Sequence, residues 1–291
     1  MSLSLNSEPN YILTLSCDDR PGIVAAVAGF ITQHKGFITE SAQFGDASTG
    51  RFFMRTEFAV DTSAPEEDQF KRLFHEKVGD PFAMRWALHP AQRKPRVLIM
   101  VSKFGHCFYD LMHRYHAGLL KVEIPAVVSN HPDMQNAAEW YRVPYYHFPL
   151  IADQKEAQEA QVLEVIERHE IDLVVLARYM QILSPELCQK LRGKAINIHH
   201  SFLPSFKGAK PYHQAYDRGV KIIGATAHYV TSDLDEGPII EQEVARVDHT
   251  HKPSDLAAFG RDIESRVLAA AVKYHVEHRV LLNGTKTVVF K

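Results

Sequence analysis

The sequence predicts an α/β chain in two parts: a sandwich of βαββαβ order, then a mostly parallel sheet interleaved with helices. Three observations carry this. Over the first ninety residues, short β-rich runs alternate with amphipathic helical ones. A polar stretch bracketed by prolines, His89 to Pro95, then interrupts the pattern. Beyond it, short apolar runs are separated by longer amphipathic segments, the signature of buried parallel strands with crossover helices. The 291 residues are 45% hydrophobic and 23% charged, enough apolar material for two cores and no compositional case for long disorder.

In chain order, Tyr11 to Ser16 reads as a strand and Asp18-Asp19-Arg20-Pro21-Gly22 as a turn. Ile23, Val24, Val27, Phe30 and Ile31 share one face of a helix, with Gly36 expected just beyond it as the residue that takes a positive φ. Phe37–Phe44 and Arg51–Val60 form a predicted hairpin around Gly45 to Gly50; a second helix runs from Pro65 through Lys77, its charges a solvated face, and Met84–Leu88 closes the unit. The order is that of the ferredoxin-like split βαβ sandwich. This places a first domain over residues 1–90, a linker over 91–95 and a second domain over 96–291. In the second, Arg96–Val101, Val122–Ser129, Leu173–Ala177 and Ala195–Ile198 are the expected strands and Gln154–Glu170 a helix; Leu256, Phe259, Ile263, Val267, Ala270 and Tyr274 mark one face of a long closing helix. Ligands of such sheets lie beyond the carboxyl ends of the strands, so residues just after Val101, Ser129, Ala177 and Ile198 are site candidates.

Several function classes are set aside. Thirty-three basic against 35 acidic residues give a net charge of −2, which argues against a bulk nucleic-acid or anionic-membrane binder. No secretory leader and no membrane-length apolar run is seen, and three scattered cysteines without C-x-x-C spacing point to a reduced, cytoplasmic setting. G-x-G-x-x-G, P-loop and H-E-x-x-H sequences are absent, so no dinucleotide fingerprint, phosphate loop or metal is expected.

The most informative segment is Asn197-Ile198-His199-His200-Ser201-Phe202-Leu203-Pro204. In an extended chain Asn197 and His199 project to one face while Ile196 and Ile198 enter the core. A carboxamide donor and an imidazole then converge at a strand end, although a turn asparagine and two surface histidines would read the same way. Downstream, Ile223 to Val230 and Ile239-Ile240 flank the acidic loop Thr231 to Pro238, where Asp235 either pairs with His199 or forms an Asx turn.

Together, Asn197, His199, the Ser201–Pro204 stretch with Lys207-Gly208, Asp235-x-Gly237-Pro238 and Leu176 to Pro185 resemble the folate-dependent formyltransferase family, over roughly Pro95 to the C-terminus. The first domain is similar to an ACT domain, with Asp19-x-Pro21-Gly22 matching its first loop. Gln43-Phe44-x-Asp46, Gly50 to Arg55 and Ser129-Asn130-His131 look like the branch of the family that hydrolyses the formyl group. That resemblance implies hydrolysis of 10-formyltetrahydrofolate to formate and tetrahydrofolate, feeding purine biosynthesis and balancing one-carbon pools, with the folate as substrate and neither prosthetic group nor metal. It implies catalytic Asn197, His199 and Asp235, and a folate pocket of Met180, Gln181, Ile182, Leu183, Gly237 and Pro238. Ser102, His106 and His200 are further pocket candidates. In the ACT-like domain, Asp19, Arg20, Pro21 and Gly22 are the expected contacts for an amino-acid effector, methionine or glycine, and homo-oligomers are expected through that domain. Where the glycinamide ribonucleotide enzymes of the family carry a glycine-rich phosphate loop, this chain reads Ser102 to Cys107, which disfavours phosphate-bearing acceptors. No length remains for a tRNA-binding domain. Two alternatives stay open: formyl transfer to a small amine, and an amino-acid sensor whose catalytic half is inert.

Overall fold

The computed structural model describes residues 10–151, 154–204 and 211–291. Lys207-Gly208 lie outside the described residues. The chain packs as two units, one comprising the described residues up to Arg93 together with Glu277–Lys291, the other Lys94–Val276.

The first unit has the predicted order: β1 (Asn10–Asp18), α1 (Ile23–Gln33), β2 (Gly36–Asp46), β3 (Arg51–Val60), α2 (Glu67–Phe74) and β4 (Arg85–Pro90). Its four strands lie in the antiparallel order β2-β3-β1-β4. Leu13, Leu15 and Cys17 of β1 and Phe52, Met54 and Phe58 of β3 meet Val27, Phe30 and Ile31 of α1 and Phe70 and Phe74 of α2 in one core. The second helix is shorter than the sequence predicts, giving way to a π turn over His75–Gly79. Gly36 differs as well. Lys35 takes the left-handed φ of 64° after α1, and glycine is needed at 36 for space: a Cβ there would run into the Ile31 side chain and lie 3.2 Å from Phe58.

The C-terminal end of the chain departs from the predicted boundary, which assigned it to the second domain. Residues Glu277–Lys291, with the antiparallel strands β12 (Val280–Asn283) and β13 (Lys286–Val289), belong to the first unit. Polar ties explain this. Arg279 makes a two-pronged pair with Glu40 at 2.8 and 3.1 Å, the buried Arg55 donates to the Glu277 carbonyl at 3.2 Å, and Asn283 donates to Asp46 at 2.7 Å. None of these long-range pairings has a local sequence signal.

The second unit is a seven-stranded sheet in the order β11-β10-β9-β8-β5-β6-β7. Strands β5 (Arg96–Val101), β6 (Glu123–Ser129), β7 (Tyr145–His147), β8 (Leu173–Leu176) and β9 (Ala195–His199) are parallel; β10 (Ile222–Tyr229) and β11 (Ile239–Arg246) run antiparallel at one edge. The crossover helices are α3 (His106–His116), α4 (Gln135–Trp140), α5 (Lys155–Arg168) and α6 (Pro185–Lys190), followed by α7 (Pro211–Asp217) and the 24-residue α8 (Pro253–Val276). The buried stripe of α8 keeps the predicted Leu256, Ile263 and Val267 but differs at Phe259. It runs through Leu256, Gly260, Ile263, Glu264, Val267 and Ala271, while Phe259 is exposed.

Candidate active site

The carboxyl ends of β8 and β9 and the loop after β10 enclose a cavity of about 240 Å³. Strand alternation supplies its polar end. Ile196 and Ile198 are buried in the core, so Asn197 and His199 project together on the opposite face. Because β10 pairs antiparallel with β9, His228 stands directly opposite Asn197, and Thr226 opposite His199. Buried Thr226 donates to the Ser201 carbonyl and accepts from Leu203 N, each at 3.0 Å, fixing the turn that follows His199.

Asp235 comes from the loop between β10 and β11. Its carboxylate lies 3.1 Å from His199 Nδ1 and 3.7 Å from His228 Nε2, while Asn197 Nδ2 lies 3.3 Å from the same His228 nitrogen. Burial alone would raise the Asp235 pKa; hydrogen bonds and charge from the two histidines overcome it and hold the carboxyl well below the usual carboxylate range. The Tyr229 carbonyl accepts from His228 Nδ1 at 2.9 Å and so sets that ring's orientation. His199 Nε2 is buried without a hydrogen-bond partner. With Nδ1 committed to Asp235, it is the ring atom left to act on a ligand.

The loop is pinned close to β10. Tyr229 N donates to the Pro238 carbonyl at 2.9 Å, and a Cβ on Gly237 would collide with the Tyr229 carbonyl oxygen. The strand irregularity at Ala227/His228 lies at this point. Asp235 itself adopts a left-handed φ of 58°, which aims its carboxylate back at the histidines.

The other wall is apolar. Met180, Gln181, Ile182 and Leu183, following β8, line the cavity, as does His200. Met180, Ile182 and Leu234 are 50, 63 and 58% exposed, giving an apolar rim around a polar end. The structure therefore brings together Asn197, His199, His200, Asp235 and the Met180–Leu183 segment. Gly237 and Pro238 sit behind the loop as its anchor and do not line the cavity. Ser102 also stands behind the wall: its hydroxyl donates to Asn130 at 2.6 Å and accepts from Met180 N at 3.0 Å. His106 faces Glu264, at 2.7 Å. In the first unit, Gly22 has φ 92° at the start of α1, and Arg20 donates to the Pro81 carbonyl with its guanidinium 4.4 Å from the Phe82 ring.

Sequence reasoning missed His228, Arg178 and Glu264. Alternation along Thr226-Ala227-His228 could have found the first, and a lone acid in the apolar stripe of α8 the last. Nδ1 or Nε2 of His106, Sγ of Cys107 and a Glu264 oxygen lie within 4.8 Å of one another, a donor set worth weighing for a metal ion. It fits one poorly. Glu264 already accepts from His106 and, at 2.6 Å, from Tyr212, Arg178 places its cation 3.5 Å away, and burial pushes the Cys107 thiol far up.

A strand-end Asn–His pair with an ionised aspartate behind it, beside an apolar-rimmed cavity, defines an enzyme site for attack at a carbonyl-like carbon. Comparison with known proteins gives the lineage. Residues 95–272 match the formyl transferase family, and the chain is 52% identical to the formyltetrahydrofolate deformylase of Corynebacterium sp. (strain P-1), over 99% of this chain and 100% of that one. The chain belongs to the formyltetrahydrofolate deformylase family. The crystal structure of the deformylase from Burkholderia mallei superposes with a TM-score of 0.92 at 53% identity, covering 97% of this chain and 100% of that one. Phosphoribosylglycinamide formyltransferase from Anaplasma phagocytophilum matches 68% of this chain and 96% of its own, with a TM-score of 0.63 and 31% identity.

Proposed function

We propose that this enzyme hydrolyses 10-formyltetrahydrofolate to formate and tetrahydrofolate, with Asn197, His199 and Asp235 as its catalytic residues. The observation that carries the assignment is the buried, unpartnered Nε2 of His199, backed through Nδ1 by Asp235. Water adds to the formyl carbon and releases one proton to the surrounding solvent, and the carbonyl oxygen that becomes an oxyanion is met by the Asn197 amide N–H and by the His199 imidazolium. His199 then gives its proton to the departing nitrogen as the carbon–nitrogen bond breaks, and formate leaves. Asp235 holds the imidazole in one tautomer and stabilises its charged form. The apolar rim of Met180, Ile182 and Leu234 suits the flat rings of a folate, with Gln181 and Leu183 beside them. No step in this reading requires a metal or prosthetic group.

The test is formate release from 10-formyltetrahydrofolate without any acceptor. Turnover that appears only on adding an amine would favour formyl transfer instead, and folate binding without turnover would favour a sensor. For the first unit we propose an ACT-like role, with methionine or glycine as effector near Asp19 to Gly22 and self-association through this domain. The left-handed Gly22 leaves the first turn of α1 without a side-chain cap, so backbone N–H groups there are open to a carboxylate. Calorimetric titration of the full chain with each amino acid tests this; no heat from either would leave only a scaffold role. Among the described residues no helix is long and apolar enough to cross a membrane; the cytoplasmic setting is proposed from the three scattered cysteines alone.

A further inference from the structure

Behind the catalytic histidine lies a buried charge cluster that the mechanism above does not use. Arg178, just past β8, is a non-glycine residue held at φ 64°, a strained conformation that persists where surrounding contacts over-determine it. Its Nη1 donates to His200 Nδ1 at 2.6 Å, and its Nε lies 3.5 Å from Glu264 on α8. Glu264 is 1% exposed and is held in turn by His106 of α3 and Tyr212 of α7. Burial would raise its pKa, but the hydrogen bond from His106 and the charge of Arg178 keep it ionised. A glycine completes the frame: any side chain at Gly260 would strike the Tyr212 ring. Finally, the His200 ring stacks on that of His199, centroids 4.9 Å apart.

Two stacked imidazoles so close cannot both become imidazolium without strong repulsion, yet the proposed chemistry needs the charge on one particular ring. We propose that Arg178, braced by Glu264, is a positioning residue that assigns this proton: it keeps His200 neutral with its single N–H on Nε2, so that the imidazolium forms on His199 opposite Asp235. The guanidinium cannot accept a hydrogen bond, so the His200 nitrogen it faces must be bare. The groups that bear on His200 are Arg178 after β8, His199 on β9, Glu264 on α8, Tyr212 on α7 and Asp235 in the loop after β10. Burial, then Arg178 and His199, push the His200 pKa down to about 4, against the opposing pull of Glu264 and Asp235. The kinetic part rests on the reading of His199 as the acid; the protonation of His200 does not.

The experiment is a pH titration of ¹⁵N-histidine-labelled full-length protein by NMR, run beside kcat and KM profiles. In the wild type, His200 should show one neutral Nε2–H tautomer from pH 8 down to about 5. In Arg178→Met its pKa should rise by about 1 to 3, the usual range for losing a contacting charge. Below that value a second positive charge opposes His199, so kcat should acquire an acid limb. Arg178→Lys, which restores the cation, should recover most of the wild-type profile. His200 of the wild type protonating near pH 6.5, or remaining neutral in Arg178→Met, overturns the assignment whatever the enzyme's activity. An acid limb of the wild type that disappears in His200→Asn overturns it too, without relying on the Arg178 variant to fold. Altered NMR with an unaltered kcat profile would refute the role of His199 and leave that of Arg178 intact.

Discussion

Replacing Asp235 by Asn leaves a side chain of the same shape, able to accept a hydrogen bond but without charge. The carboxylate lies 3.1 Å from His199 Nδ1 and its side chain is 12% exposed. At that separation and an effective dielectric near ~20, Coulomb's law gives about 5 kcal/mol between carboxylate and imidazolium. If the amide oxygen and entering water recover about half, the imidazolium loses about 2–3 kcal/mol, which is about 10²-fold in rate. The sign follows from which form works. The carboxylate stabilises the charged His199 that the reaction needs, so its removal should fall on kcat. Turnover at neutral pH should drop about 10²-fold or more, with a smaller change in KM. The assay is formate release across pH 5 to 9 by wild type and Asp235→Asn. A variant whose KM rises while its kcat holds would refute the electrostatic argument; one within a few-fold of wild type would refute the assignment of Asp235.

Asn197→Ala removes an oxyanion donor and should lower kcat by about 10²–10³ while binding folate nearly as well, which single-turnover kinetics with a folate-binding titration would check. Gly237→Ala pushes a Cβ into the Tyr229 carbonyl, 3.1 Å from His228 Nδ1, so the loop must lift and carry Asp235 away. A shift of about 1 Å should cost about 10² in kcat at a modest loss of Tm, and unchanged kcat would show the loop to be slack. His89 is stacked 3.6 Å from His278 in the first unit; burial, then Arg93 and Lys71, lower its pKa to about 4. A neutral form favoured by folding gives stability that is complete above about pH 6.5 and is lost as pH falls toward 4, roughly 3 kcal/mol in all. Urea melts at pH 7 and 4.5 should show that loss in the wild type and much less of it in His89→Gln.

Local patterns made most of the fold legible. Strand alternation in β1 and β9, the apolar face of α1 and the proline-bracketed break before Pro95 each report on neighbours a few residues away. Strands β1 to β6 and β8 to β10 stand within about two residues of where such patterns place them, whereas β7, β12 and β13 have no predicted counterpart and β11 extends well past Ile239-Ile240. Asn197 and His199 were readable as a pair because strand geometry alone puts them on one face. The misses depend on distant partners. Residues 277–291 join the first unit through Arg55, Glu40 and Asp46, which are more than 200 positions away. Alternation within β10 sets His228 on one face with Thr226, but what brings it opposite Asn197 is the register of β10 against β9, which that alternation does not state.

The two residues that aim the site show the same limit in its sharpest form. Positive φ is ordinarily read from glycine or asparagine, and by that rule Gly36 should turn the chain after α1, where Lys35 turns it instead. Arg178 and Asp235 break the rule on either side of the cavity, at φ 64° and 58°. Each conformation costs on the order of 1–3 kcal/mol. Each residue recovers some of it through charged contacts made only from that backbone: Arg178 to His200 and Glu264, Asp235 to His199 and His228. A glycine at either position would relax the turn and lose the charge. Arg142 and Glu170 take the same left-handed backbone just after α4 and α5 without lining the cavity. The conformation therefore marks the site only at Arg178 and Asp235, where the contacts it allows are to the site's own histidines, and that is visible only once those partners are in place.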